Sequence, residues 1–385
     1  CMVTTQRNHY SAHYFRCVFY ATWSYYHHKE IMNPLNSQHK LYIPSARRSI
    51  IYSLCLFLST FSPLHAQEPQ SFEIKQNERL LILAPHPDDE SLSSAGLAHH
   101  VLAEGGTVRS VIVTAGDAYV EAIEKDTGRK NLTPTDFLKY GETRLEESRS
   151  AAKIIGNGFI HLDLLGFSDG SIYDMLVSHW RTHPEKSEFT GFSHVPYRIA
   201  EDTGVAQDGK VLHDELIRIL KETKPTLIVF PDVMENDSDH SGLGMFALLA
   251  IHDWLNQKNS DKKEELRLLA YLIHWQHGWP AGSDAVVPLN LSNSPLFLPD
   301  DLPLRGHQRA CFNLNVIERH IKHHALAQYK TQQRAMGNFL AAFVRSNECF
   351  TVLNVEDSRN IKNVVRHWQT RRKTFDDNPA SRAKI

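Results

Sequence analysis

Cysteine is scarce in this chain: five in 385 residues, three of them (Cys1, Cys17 and Cys55) within the first 66. The remaining two, Cys311 and Cys349, are too few for the disulfide framework that holds small secreted domains together. Whether they pair or sit apart as buried thiols stays open on sequence. An excess of charge is missing too, with 42 basic against 44 acidic side chains and no basic block. That balance argues against a dedicated nucleic-acid binder. No apolar run reaches the length of about 20 residues needed to span a bilayer. With 42% hydrophobic and 22% charged residues, the chain is neither low-complexity nor collagen-like. What remains is a globular composition, long enough for one large domain or two modest ones, and a surplus of one residue type. The chain holds 23 histidines, side chains suited to metals and to proton transfer near neutral pH.

Residues 46–66 read as a secretory signal peptide: Arg47-Arg48, the 12-residue apolar run Ile50–Phe61, then Ser62-Pro63-Leu64-His65-Ala66 before a polar stretch. Cleavage is expected after Ala66, leaving residues 1–45 as an upstream leader without regular structure. The expected product is exported, periplasmic or extracellular, with no stable membrane insertion. Six of the 42 basic residues, one acid (Glu30) and six of the 23 histidines (His9, His13, His27, His28, His39, His65) leave with it. The domain then spans 67–350, and a polar tail 351–385 carries a basic stretch, Arg366–Lys373, that reads as solvated.

From Arg79 the pattern alternates. Short apolar runs at Leu80–Ala84, Val108–Thr114, Phe159–Leu165, Thr226–Phe230 and Leu266–Ile273 read as buried strands. Helical spacing is expected over Ser91–Glu104, Gly141–Ile155, Lys210–Thr223, Ser241–Asn256 and Asn315–Asn347. The fold class is therefore α/β, a Rossmann-like three-layer sandwich with a mainly parallel sheet. In such sheets ligands bind beyond the carboxyl ends of the strands. Residues 167–206 lack a clear period and are rich in His, Trp and Tyr, which points to a loop covering the site.

The chemistry follows two strand ends. After the first strand comes Pro85-His86-Pro87-Asp88-Asp89-Glu90, one imidazole and two carboxylates in a turn stiffened by proline. His86 and Asp89 can converge on one point, a donor pair that suits zinc. A catalytic zinc site needs three protein ligands and one open position. The third is expected from Pro231–His240, where His240 stands just ahead of a helix. Capping by Asp88 and Asp89 is the bland alternative, and it leaves His86 unexplained.

Pro85–Glu90 resembles the A-H-P-D-D-E signature of the PIG-L/LmbE-like zinc-dependent N-acetylglucosaminyl deacetylases. The likeness continues through Thr114-Ala115-Gly116-Asp117, Arg144-Leu145-Glu146-Glu147, Leu165–Gly170, Asp239-His240 and Glu348-Cys349-Phe350. The resemblance implies one Zn2+ per chain, held by His86, Asp89 and His240. It implies Asp88 as general base and then acid, and an N-acetylated amino sugar or glycoconjugate as substrate. Arg144 would reach substrate oxygens or else pair with Glu147 at i, i+3. Asp169 would bind a sugar hydroxyl or only make a turn with Gly170. Tyr197 or Trp180 would stack on a sugar ring.

One position departs from the pattern. The family's H-P-D-H element has its first histidine where this chain has Asp237, and an ionised carboxylate would repel an oxyanion. Asp237 must be protonated, turned away or metal-assisting. The missing imidazole could come from His274 or His277, or from His179, His183 or His194. The departure also keeps two other readings open: a non-catalytic carbohydrate-binding descendant of the fold, and a zinc hydrolase of another amide or an ester.

Overall fold

The computed structural model describes residues 70–359, apart from 182, 202, 258–265, 277, 286–289 and 303–306, together with residue 366. The expected leader and signal peptide lie outside the described residues, as do His277 and most of the tail. Among the described residues no helix is long and apolar enough to cross a membrane.

Eight strands form one sheet: β1 (Gln70–Ser71), β2 (Arg79–Ala84), β3 (Thr107–Thr114), β4 (Ile160–Phe167), β5 (Leu227–Pro231), β6 (Arg267–Tyr271), β7 (Gln308–Asn313) and β8 (Asn347–Leu353). Their spatial order is β1-β7-β8-β6-β5-β2-β3-β4. All neighbours are parallel except β8, which runs antiparallel to both β6 and β7. Nine helices accompany them among the described residues: α1 (Asp89–Ala103), α2 (Val120–Thr127), α3 (Pro134–Gly156), α4 (Ile172–Val177), α5 (Gly209–Thr223), α6 (Ser238–Gln257), α7 (Val316–Leu326), α8 (Lys330–Ala342) and α9 (Val355–Arg359).

The apolar run of β2 shows why the sheet is covered on both faces. Side chains alternate across a strand, and here both sets are buried. Leu81 and Leu83 join a core with Leu212 and Leu216 of α5 and Phe246 of α6. Leu80 and Ile82 join a second core with Leu92 and Leu97 of α1 and Leu326 of α7. Two apolar faces on one strand require a layer of helices on each side, so the three-layer α/β sandwich follows.

The structure departs from the expected elements in ways that have physical causes. The expected helix over Asn315–Asn347 is two, α7 and α8, broken around Tyr329, whose side chain is fully buried. Helix α3 begins at Pro134 rather than Gly141, since Thr133 and Asp136 form a capping box and proline takes the first turn. The antiparallel strands β7 and β8 lack a long apolar run and escape the pattern. Cys311 and Cys349 face each other across those two strands and form a disulfide.

Strand order also fixes where a ligand can enter. From β2 the chain adds β3 and β4 on one side, then crosses to place β5 on the other. The loops leaving β2 and β5 therefore diverge, which opens a crevice between them.

Candidate metal and catalytic site

The crevice holds the residues that the two strand ends supply. His86 and Asp89 follow β2, and His240 sits in the first turn of α6, beyond β5. The three bring one donor atom each within 4.8 Å of one another. His86 Nδ1 stands 3.3 Å from Asp89 Oδ2, and His240 Nε2 stands 3.2 Å from the same oxygen. Donors of a tetrahedral zinc site, at about 2.0–2.1 Å from the ion, lie about 3.3 Å apart.

The remaining imidazole nitrogens face carboxylates. His86 Nε2 is 3.1 Å from Asp169 Oδ1, and His240 Nδ1 is 2.9 Å from Glu235 Oε2. A carboxylate behind each ligating histidine fixes ring orientation and raises donor strength. His240 is fully buried, and neither of its ring nitrogens has an aligned hydrogen-bond partner. That leaves buried bonding capacity which a cation would fill. Burial alone would lower both imidazoles. The carboxylates around them, led by Asp169 at His86 and by Asp89 and Glu235 at His240, hold both well above the ordinary value. The donor set and its surplus of negative charge fit a divalent cation.

A second grouping, His86, Asp169 and Asp239, shares the first histidine. Asp239 is otherwise committed, because its two oxygens accept the Gly170 and Ile172 amides at 2.8 and 3.0 Å. The grouping with His240 is the better cation site.

Asp88 lies beside the ligands in a conformation rare for a side-chain-bearing residue, with φ 122° and ψ −27°. Such strain costs on the order of 1–3 kcal/mol and persists only where the surroundings over-determine it. Here they do. The Asp88 amide donates to Glu90 Oε2 at 3.1 Å, and its carbonyl accepts from Ser91 and Leu92 at 2.9 and 2.8 Å. Arg144 donates to the Pro87 carbonyl at 2.7 Å and to Asp88 Oδ2 at 3.4 Å. Glu90 is held in turn by the Tyr329 hydroxyl. Burial pushes the Asp88 carboxyl well above the carboxylate range, against the pull of Arg144.

Arg144 makes no pair with Glu147, which instead accepts from Thr331 at 3.0 and 2.6 Å. Its Nη1 donates to the Gly116 carbonyl at 2.8 Å. A Cβ on Gly116 would lie 2.1 Å from Nη1, so the approach needs glycine, as does its φ of +61°. The guanidinium is a buried brace for the Asp88 turn rather than a group reaching out to substrate.

Asp169 is more than a turn residue, since it carries the His86 contact and accepts the Ala118 amide at 3.1 Å. Asp117 positions it, accepting the Asp169 amide at 2.9 Å. Tyr197 does not stack on a ligand. It is buried, and its hydroxyl donates to Asp117 Oδ2 at 2.5 Å. The bare Gly141 makes room for it, because a Cβ there would meet the Tyr197 hydroxyl at 2.5 Å. Trp180 likewise packs inward, its ring stacked 5.9 Å from Phe246. Both side chains are thus engaged within the fold, where the sequence led to the expectation that one of them stacks on a sugar ring.

Asp237 serves the backbone of the helix that carries the third ligand. Its Oδ1 caps α6, accepting the amides of Asp239 at 2.8 Å and His240 at 3.2 Å. Of the candidate imidazoles, His274 arrives beside the ligands, its ring 4.7 Å from that of His240. The ring contacts of His179 and His194 among the described residues run within their own segment, as in His179 Nδ1 to the His183 carbonyl at 2.6 Å. Glu235 was missed by sequence reading. Its only signal was membership of the acidic stretch before His240.

Residues 81–251 match the profile of the family described as PIG-L, GlcNAc-PI de-N-acetylase. No curated protein matches the chain. Among solved structures, an A40926 pseudoaglycone deacetylase is 18% identical, covering 72% of this chain and 98% of its own, with a TM-score of 0.45. The N,N'-diacetylchitobiose deacetylase of Pyrococcus horikoshii is 14% identical, over 81% of this chain and 94% of its own, with a TM-score of 0.42. The 4-carboxy-2-hydroxymuconate hydratase of Pseudomonas putida is 12% identical, over 69% and 82%, with a TM-score of 0.40.

Proposed function

Since the chain belongs through residues 81–251 to the PIG-L/LmbE-like deacetylase family, we propose that it is an exported, zinc-dependent N-deacetylase acting on an N-acetylated amino sugar or glycoconjugate. The observation that carries this reading is the convergence of His86, Asp89 and His240 at the crevice between β2 and β5, with Asp88 held beside them.

His86, Asp89 and His240 would hold one Zn2+. When bound, the ion supplies Lewis acidity that makes water nucleophilic near neutral pH. The chain's own residues do the rest. Asp88, fixed by Arg144 and by the Glu90 contact to its amide, takes a proton from the attacking water. Once protonated, it can return that proton to the departing amine. Acetate and a free amine result. The Cys311–Cys349 disulfide supports export, since such bonds persist in oxidising compartments. The N-terminal Arg-Arg and apolar run point the same way.

The test is acetate release from a panel of N-acetylated sugars, with and without chelator, beside zinc analysis of the purified protein. The expected result is one zinc per chain and chelator-sensitive release. Asp88→Asn should keep the zinc and lose turnover by about 100-fold or more. A protein that holds no zinc after reconstitution, or an Asp88→Asn variant with full turnover, would refute the mechanism.

A further inference from the structure

Acyl transfer needs hydrogen-bond donors where negative charge develops on the carbonyl oxygen, and this site is built almost wholly of acceptors. Asp88, Asp169, Asp239 and Glu235 crowd the ligands. Asp237 is spent on capping α6. Arg144 gives its Nη groups to the Gly116 and Pro87 carbonyls and to Asp88 Oδ2, and its unpaired Nε is buried against Gly116. Tyr271, whose ring meets that of His240, gives its hydroxyl to the Leu83 carbonyl at 3.0 Å.

His274 differs from all of these. It leaves the end of β6, its ring edge-on to His240 at 84° and stacked 5.7 Å from Phe339 of α8 at 7°. Its backbone is fastened on both sides to the loop that carries the metal ligand. The His274 amide donates to Glu235 Oε2 at 3.1 Å, and the Asn236 amide donates to the His274 carbonyl at 3.3 Å. The ring is thus aimed by one edge-on and one stacked contact and by a two-point backbone clamp, and it is only half-buried. Its ring nitrogens make no hydrogen bond among the described residues, which leaves an N–H to spare.

We propose that His274 donates its imidazole N–H to the substrate carbonyl oxygen as that oxygen gains charge, resting on the deacetylase reading above. A neutral or a protonated ring can make this donation, since each carries at least one N–H. The strand end supplying it belongs to β6, so a further loop of the sheet adds to the site that β2 and β5 begin.

The experiment uses the full chain loaded with zinc and two variants, His274→Ala and His274→Gln. Zinc content is measured first. Binding of methylphosphonate, a tetrahedral anion shaped like hydrated acetyl, is then followed by calorimetry, and kcat and KM are taken on whichever panel sugar releases acetate. The expected result is unchanged zinc, methylphosphonate binding at least tenfold weaker in His274→Ala, and partial recovery in His274→Gln through its amide N–H. Turnover should fall about 100- to 1000-fold in His274→Ala with KM little changed. Equal methylphosphonate affinity in wild type and His274→Ala overturns the proposal, as does a wild type that does not bind it. Loss of zinc in both variants overturns it by making His274 a ligand. If no sugar releases acetate yet methylphosphonate binding still falls in His274→Ala, the deacetylase reading fails while the donor assignment stands.

Discussion

At the scale of single residues, the site is a set of small constraints that hold three donors and one base in place. Glu235 is the least conspicuous of them in sequence. Its two oxygens accept the amides of Ile273 and His274, so it is locked before it meets His240 Nδ1. Replacing it with alanine removes the orienting carboxylate but no ligand. Glu235→Ala should weaken zinc binding about 10- to 100-fold, read by competition with a chromophoric chelator. Unchanged affinity would mean that packing alone orients His240. His86, Asp88, Asp89 and His240 were legible because a short motif names them. Glu235 and Asp169 were not, because a carboxylate in a loop looks the same whether it supports a ligand or caps a turn.

At the scale of elements, one helix is broken and repaired by side chains from elsewhere, and one loop is pinned in place. Helix α1, which begins at the ligand Asp89, is kinked at Ser94 with φ −146° and ψ 16°. The Gly96 and Leu97 amides go to Glu348 at 3.0 and 2.9 Å, and the Leu92 carbonyl is taken by Lys322 at 2.7 Å. Lys322 and Glu348 also pair at 2.8 Å. A buried ion pair from β8 and α7 thus splices the helix, and the Glu-x-Phe near the end of the chain has a structural meaning. The second device is the loop after β4, pinned by Asp117. Burial, with Asp169 adding to it, pushes the Asp117 carboxyl up to about 7. The folded chain therefore keeps a proton that the unfolded chain has lost above about pH 4. Stability from this group is full below about pH 4 and declines as pH rises toward about 7. Asp117→Asn should flatten that decline, read as urea midpoints from pH 5 to 8. An identical slope in variant and wild type would assign the pH dependence to other groups, of which Glu90, also raised to about 7 by burial, is the nearest.

At the scale of the whole molecule, the disulfide ties two antiparallel strands 38 residues apart in sequence. Closing a loop of that length restricts the unfolded chain, worth about 2–4 kcal/mol of stability. Reduction, or Cys311→Ala with Cys349→Ala, should lower the denaturation midpoint by a corresponding amount. The crevice between β2 and β5 lies two strands away from β8, so zinc content should survive. A midpoint unmoved by reduction would show that strand pairing alone holds β7 and β8 together.

The alternation of apolar strands and amphipathic helices, and the placing of His86, Asp88, Asp89 and His240 just beyond strand ends, were determined by sequence alone, because period and motif are local properties. Which imidazole stands beside the ligands was not. His274, His179, His183 and His194 are equivalent on the page of a sequence. They separate only when β6 pairs with β5 and lays its end beside the His240 loop. The same holds for Tyr197, Trp180 and Arg144, whose side chains turn inward to braces and core contacts that no spacing records. Tertiary structure decided these because burial and partner choice depend on residues brought together across the sheet.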